Sequence, residues 1–433
     1  MEFHDILHGL IEFPDFDEST KLLRDLLNST EINRLRNMRQ MNFDVPLIQE
    51  LGRSRRLPHS IGVANLAFKL SKKSLLDDRN SKVLLAAAIM HDAAIPPYGH
   101  LVESELKATS SFSHERRVEE LVRGKEGDFG NTEIFEGKAP EVLKILEKHQ
   151  TNVDHVMSLI RPSDGTKTPI SADIDLDNID NVHRMAAMLG WDNARENFNR
   201  LVNSITLNEL QEMRFSNDAL PHVRKWLEFR EHIYTMIIAH KECIPYNALQ
   251  ADLVRLAIQK EIISPENWML NEQEFEEKLR REPSIRPLAM QLITGCEYSL
   301  VDYIWFKDFK SNKKLNNLEI VKSLTENLPE YKNDDYGYFV WNEKGLISRE
   351  IKLMKTNGEE CTLGYNSTSC MIAYVKKTGR NPQWPNGTNK VHWREAVISH
   401  FRDLFDVSYF RTDFPETYSG SFLTSGNNEF VFD

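Results

Sequence analysis

Apolar residues fill the stretch Val83-Leu84-Leu85-Ala86-Ala87-Ala88-Ile89-Met90 without a polar interruption, and the run stops at His91-Asp92. At roughly 3.6 residues per turn this makes about three helical turns, hydrophobic nearly all round, which predicts a buried central helix. Its ending is the informative part. A carboxylate carried into a core needs a cation or a metal beside it, because an unpaired buried charge costs several kcal/mol. The carboxyl end of a helix also favours positive charge.

Around this run the spacing of leucine, isoleucine and methionine predicts helices over 19–27, 29–41, 60–71, 114–122, 140–160 and 226–241, with a helical pattern continuing to about residue 305. Pro96-Pro97 forbids helix just after Asp92, so a loop walls any pocket there, with His100 and Glu103 on its far side. The glycine- and charge-rich stretch 125–137 reads as a loop or lid. From 307 to 317 the chain is a charged, asparagine-rich linker. Beyond it, 336–354 and 361–375 alternate with strand period, 392–405 forms one amphipathic helix, and 419–428 reads as loose. The expected fold is mainly α: a helical domain over 1–307 and a small α/β lobe over 315–433 that regulates or oligomerises.

Charge narrows the function classes. With 65 acidic against 54 basic residues and a net charge of -11, general nucleic-acid binding is disfavoured, since it depends on neutralising many phosphates. Arg34, Arg36 and Arg39 form a local basic cluster, read as a solvated face or as phosphate steering. Four cysteines without CxxC spacing suit free thiols in a reducing compartment. No signal-peptide pattern opens the sequence and no run of 18 apolar residues occurs, so a soluble cytoplasmic protein with no membrane partner is expected.

The His-Asp pair has company. His59 lies in a basic segment leading into a helix, and Ala172-Asp173-Ile174-Asp175-Leu176-Asp177-Asn178-Ile179-Asp180 supplies more aspartates than helix capping requires. The EF-hand pattern fails there, because its glycine and glutamate positions are absent. His59, His91, Asp92 and one aspartate of this cluster make a mixed nitrogen and oxygen set suited to Mn, Fe, Co, Ni or Zn rather than to an all-oxygen Mg or Ca cage. Such a metal polarises a phosphoryl oxygen and activates water. Arg56, three residues before His59, is positioned to clamp a phosphate.

At these residues the chain resembles the HD-domain metal-dependent phosphohydrolases, and within them the deoxynucleoside triphosphate triphosphohydrolase (dGTPase-like) branch. The anchors are Asp5-x-x-His8-Gly9, Arg34-Leu35-Arg36 with Gln40, Arg56-x-x-His59-Ser60-x-Gly62-Val63, His91-Asp92 with Pro97-Tyr98-Gly99-His100, His114-Glu115, Asp175-x-Asp177-x-x-Asp180 leading to Leu189-Gly190, and Arg230 with His240-Lys241. The resemblance implies His59, His91, Asp92 and Asp177 as metal ligands, Arg56 and Arg230 as phosphate contacts, and His100, Glu103 and His114 in proton transfer and phosphate contact. It also implies Mg on the substrate phosphates, a nucleotide effector and a homo-oligomer. The chain departs from the branch in three places. Ile95 stands where a histidine usual in the branch would be, Asn178 and Asn181 replace a lysine and a tyrosine at substrate-facing positions, and Met185 replaces a sugar-contacting aspartate. The expected activity is hydrolysis of deoxynucleoside triphosphates or related nucleotides to nucleoside and triphosphate. The departures keep open a nucleotide phosphomonoesterase or phosphodiesterase, and a weakly catalytic nucleotide-sensing scaffold.

Overall fold

Val83 through Met90 are each 0 % exposed and occupy the helix Asp78–Met90. Asp77 starts that helix by accepting from the Asn80 amide at 2.7 Å, and His91 caps its end. Helices Glu18–Leu27, Arg56–Lys73 and Val153–Ile160 pack around it. Burying each of its large aliphatic side chains contributes about 1.5–3 kcal/mol, so this helix fixes the positions of the others. The structure is a computed structural model that describes residues 1–41, 45–110, 112–124, 140–163, 165–342, 347–366 and 368–417. The stretches predicted as a lid (125–137) and as loose (419–428) lie outside the described residues.

The fold is mainly helical with a smaller strand-containing lobe toward the carboxyl end. Helix Arg56–Lys73 begins four residues earlier than its apolar stripe, because Pro58 falls in the first turn, where the missing amide would have no intrahelical partner. The 140–160 prediction resolves into two helices, Val142–Lys148 and Val153–Ile160, broken where Asn152 caps the second. The 29–41 prediction fails further: only Thr30–Asn33 is α-helical, Arg34–Asn37 tightens into a 3-10 turn, and Arg39 bridges Arg55 in β fashion.

Arginines 34 and 39 explain that break. Arg34 is fully buried and donates to the carbonyls of Trp268, Leu270, Ala93 and Ile95 at 2.7–3.1 Å. Arg39 donates to Glu272 and Glu276, each at 2.9 Å, and lies over the Tyr98 ring. Neither is a solvated face nor a phosphate guide. Together they clamp the Pro96-Pro97 loop onto the helix Glu272–Arg281. Tyr98 completes the clamp, donating its hydroxyl to Glu276 and its amide to Glu272, both at 3.0 Å. Tyr98 and Gly99 carry φ of 59° and 52°. Glycine is free to adopt that geometry, whereas Tyr98 is held in it by its buried contacts.

The helical pattern read to residue 305 ends early. Ser299–Lys307 is a strand of a four-stranded antiparallel sheet ordered Arg411–Asp413, Ser299–Lys307, Ser369–Lys376, Tyr336–Asn342. Ile304 pairs with Ile372, and Ile372 with Val340. Both faces of Ser299–Lys307 are covered, so this strand loses its alternation and a periodicity count confuses it with helix, whereas Tyr336–Asn342 and Ser369–Lys376 fall in the stretches predicted as strands. Tyr303, Trp305, Phe339, Met371 and Ala373 point into the main core, while Ile304, Phe306, Tyr338, Ile372 and Tyr374 pack with Trp393, Val397 and Phe401 of the helix Lys390–Phe405. The lobe thus shares one sheet with the helical core.

Cys243, Cys296 and Cys370 are buried free thiols and Cys361 is half-buried; burial pushes Cys243 up to about 12 and Cys296 up to about 11. The native protein is expected to give one fast thiol with an aromatic disulfide reagent near neutral pH and four after unfolding, because the thiolate is the reactive form. Two or more fast thiols in the folded state would contradict the packing. Among the described residues, no helix is long and apolar enough to cross a membrane.

Candidate metal centre

Three helices converge on one point. His59 comes from the first turn of Arg56–Lys73, His91 and Asp92 from the end of Asp78–Met90, and Asp177 from the first turn of Leu176–Met188. Ligand atoms of His59, His91 and Asp92 lie within 4.8 Å of one another. Asp177 Oδ1 stands 2.9 Å from His59 Nε2 and 3.7 Å from His91 Nε2. Asp177 at a helix start and His91 at a helix end each sit where the dipole favours a metal site's charge pattern.

His91 decides what the cluster suits. Its Nδ1 donates to the Ala88 carbonyl at 2.8 Å, which leaves Nε2 to face Asp92 Oδ2 at 3.6 Å and Asp177 Oδ1 at 3.7 Å. Those separations exceed hydrogen bonds, and Nε2 is buried with no partner among the described residues. A buried polar atom in that state costs about 1–3 kcal/mol unless something binds it. A divalent cation held by His91 together with Asp92 and Asp177 would satisfy it. Burial opposes charge on His91, yet Asp92 and Asp177 raise its pKa to about 9, and those same carboxylates attract a metal. Burial also opposes charge on Asp92, where Arg56 and His91 prevail and keep it ionised; His59 and His91 do the same for Asp177.

Behind the ligands lies a charged network. Asp180 accepts from His59 Nδ1 at 2.7 Å, pairs with His8 Nε2 at 2.6 Å, and takes Arg184 Nε at 2.8 Å. Arg184 reaches on to Asp5 at 2.6 Å, and Asn65 donates to His8 Nδ1. A carboxylate on the far nitrogen of a ligating histidine fixes its tautomer and orientation. The sequence shows this as spacing: Asp177 and Asp180 are three apart and Asp180 and Arg184 four apart on one helix face, while Asp5 and His8 arrive from the amino-terminal hairpin Glu2–Asp5 with Gly9–Glu12. From the sequence, Asp5, His8 and Asp180 are anchors without a role, and Arg184 is not singled out. On the other side of this helix Trp226 Nε1 donates to the Asn178 carbonyl at 3.1 Å, and His183 is a core residue whose Nδ1 donates to the Ile179 carbonyl at 2.8 Å.

The cluster opens into a cavity of about 600 Å³ lined by Arg56, Asp92, Asp177, Asn178, Asn181 and Arg230, with His100 and Glu103 at its side. Arg56 donates to Asp92 at 2.5 Å and to the Arg39 carbonyl. Asn178 is held by Asp175 at 2.8 Å and faces Arg230 at 3.5 Å; Asn181 accepts from Gln40 at 3.1 Å. Arg230 Nε and Gln40 Oε1 are buried without partners among the described residues, a donor and an acceptor on the cavity wall.

Glu103, 2 % exposed, accepts from His100 Nδ1 at 2.8 Å and from His114 Nδ1 at 3.0 Å. It holds both imidazoles with Nε2 outward. Burial opposes its charge, but the two histidines keep its pKa far below the carboxylate range, and Glu103 in turn raises His114 against that residue's own burial. Ile95 points elsewhere, 0 % exposed in a small apolar cluster with Leu35 and Met38, and Met185 is buried in the main core. Tyr234, Asn316, Asn317, Trp341 and Asn342 also line the cavity and were missed. Tyr234 was readable as the i+4 neighbour of Arg230. The others come from the lobe, and no local spacing links them to the site.

Comparison with known proteins gives a family-model match, distant relatives and a likeness of fold. "Uncharacterized protein MG461" of Mycoplasma genitalium is 22% identical over 351 residues, covering 78% of this chain and 80% of that protein. "Uncharacterized protein YwfO" of Bacillus subtilis is 23% identical over 250 residues, 55% of this chain and 51% of that one. The crystal structure of phosphohydrolase BT4208 from Bacteroides thetaiotaomicron superposes with a TM-score of 0.60 at 12% identity, over 86% of this chain and 99% of that one, a likeness of fold. Residues 56–185 match the family model of the HD domain, and His59, His91, Asp92 and Asp177 all lie inside the matched span.

Proposed function

We propose that the chain is a metal-dependent phosphohydrolase acting on deoxynucleoside triphosphates or related nucleotides, with nucleoside and triphosphate as products. The observation that carries this reading is the orphaned His91 Nε2 between two carboxylates, at the edge of a cavity that also presents Arg56 and Arg230. A divalent metal held by His59, His91, Asp92 and Asp177 would supply Lewis-acid polarisation of a phosphoryl oxygen. The chain's own groups do the rest. Arg56 and Arg230 bind phosphate oxygens, with Arg230 Nε available for a charge-assisted bond. As water oxygen bonds to phosphorus and the ester oxygen leaves with its electron pair, the His100 and His114 pair, oriented by Glu103, donates the proton that the leaving oxygen takes, and the proton the water loses restores that pair.

One observation favours a second reading. Asn178 and Asn181 are neutral and already engaged, so fewer charges are available to a triphosphate than in the branch the sequence resembles. A phosphomonoesterase or phosphodiesterase acting on a less charged nucleotide fits that wall. A nucleotide panel on the Mn-loaded protein, with products identified, separates the readings. Triphosphate release is the expected result, whereas orthophosphate or ring opening supports the second. Nucleotide-dependent stabilisation without product points to a sensing scaffold, and no turnover and no binding removes the proposal.

A further inference from the structure

The lobe's edge strand Tyr336–Asn342 and the helix Asn317–Asn327 beside it contribute to the cavity lining, and two of their side chains are hydrogen-bonded in a way that fixes which atoms each has left. Asn317 Oδ1 accepts from the Asn342 amide at 2.8 Å. Asn342 Nδ2 donates to the Leu315 carbonyl at 2.9 Å. A backbone N–H needs an acceptor and a backbone carbonyl a donor, and a side-chain amide accepts only through its oxygen and donates only through its NH2, so each amide has one possible orientation. Asn317 is left with its NH2 and Asn342 with its carbonyl oxygen, and neither atom has a partner among the described residues. Both residues line the 600 Å³ cavity, beside Trp341, whose indole is part of the same wall.

We infer that this wall is a subsite for the base of the substrate, with Asn317 donating to, and Asn342 accepting from, neighbouring polar atoms on the edge of a planar heterocycle. The inference rests on the phosphohydrolase reading and adds to it a place for the end of the substrate that the metal does not touch. A donor and an acceptor carried by two hydrogen-bonded residues of one cavity suit the adjacent acceptor and N–H positions of a nucleobase edge, and such paired contacts discriminate strongly. The cavity volume lies within the usual range for small-molecule sites, about 300–1,000 Å³. A nucleotide with its phosphates at Arg56 and Arg230 would extend its base toward this wall. Specificity on this account comes from the lobe, and reactivity from the HD helices.

Asn317→Asp is the test, because an aspartate still accepts from the Asn342 amide while losing the NH2. The measurement is kcat/KM for the preferred nucleotide divided by kcat/KM for bis(p-nitrophenyl) phosphate, which has no base, in wild type and variant, with the thermal midpoint followed in parallel. The expected result is a fall in that ratio of about tenfold or more. An unchanged ratio overturns the subsite, whether both rates hold or both fall together. If the variant's thermal midpoint drops, Asn317→Ser, which keeps a hydroxyl oxygen for the Asn342 amide, is judged by the same ratio. Absence of any hydrolysis by wild type is a different outcome, which removes the phosphohydrolase reading itself.

Discussion

Asp92→Asn is expected to lower phosphoester turnover on the order of a thousandfold, since the Lewis-acid contribution of several kcal/mol is lost with the metal. The substitution preserves shape and takes away one of the two carboxylate charges facing His91 Nε2. It also weakens the partner of Arg56, whose guanidinium keeps the Arg39 carbonyl. Metal content and thermal midpoint separate a lost ligand from a disturbed fold. Wild type should gain stability when Mn is added, by about 2.7 kcal/mol at a hundred times the dissociation constant, while the variant should show little shift. Equal metal content and turnover in the two proteins would falsify the ligand assignment.

Gly62→Ala should injure the same site from behind. A Cβ at position 62 would meet the Asp180 carboxylate inside any real contact distance, with Arg184 Nη2 at 2.5 Å and His8 Nε2 at 2.8 Å. The ends of long side chains can usually move aside. These cannot, since Asp180, Arg184, His8 and Asp5 hold one another in place and are all buried or nearly so. Overpacking of this kind costs about 1–3 kcal/mol. Displacing Asp180 from His59 Nδ1 should weaken metal binding a further 10- to 100-fold, the usual consequence of losing such a support. A Gly62→Ala protein with wild-type melting and metal affinity would show that the network yields more readily than its hydrogen bonds indicate.

How much of this was readable in advance follows from the range of each interaction. The helix ending in His91-Asp92 was legible because its apolar pattern is local and its polar ending has no apolar explanation. His59 and the aspartates at 175, 177 and 180 were legible as residue types in a helical setting, but selecting Asp177 needed the resemblance. Arg34 and Arg39 were misread because a buried arginine paired with distant carbonyls or glutamates has the same local spacing as a surface one. Ser299–Lys307 was missed for a related reason: a strand buried on both faces loses its alternation. Ile95 was legible as a departure from the branch, though not as a residue turned into its own apolar cluster. The lobe's contribution to the cavity depends on pairings such as Ile304 with Ile372, set by the tertiary fold alone.

The same sheet imposes an order of assembly during synthesis. All four candidate metal ligands have been translated once Asp177 is made, whereas the lobe's central strand, Ser369–Lys376, lies about 200 residues further along. At roughly 5–20 residues per second a ribosome needs on the order of ten to forty seconds to cover that distance. Local helix packing is fast and strand pairing across long sequence separations is slow. The nascent chain is therefore expected to bring its candidate metal ligands together before the lobe's part of the cavity lining exists, so that an ion can reach them ahead of any substrate.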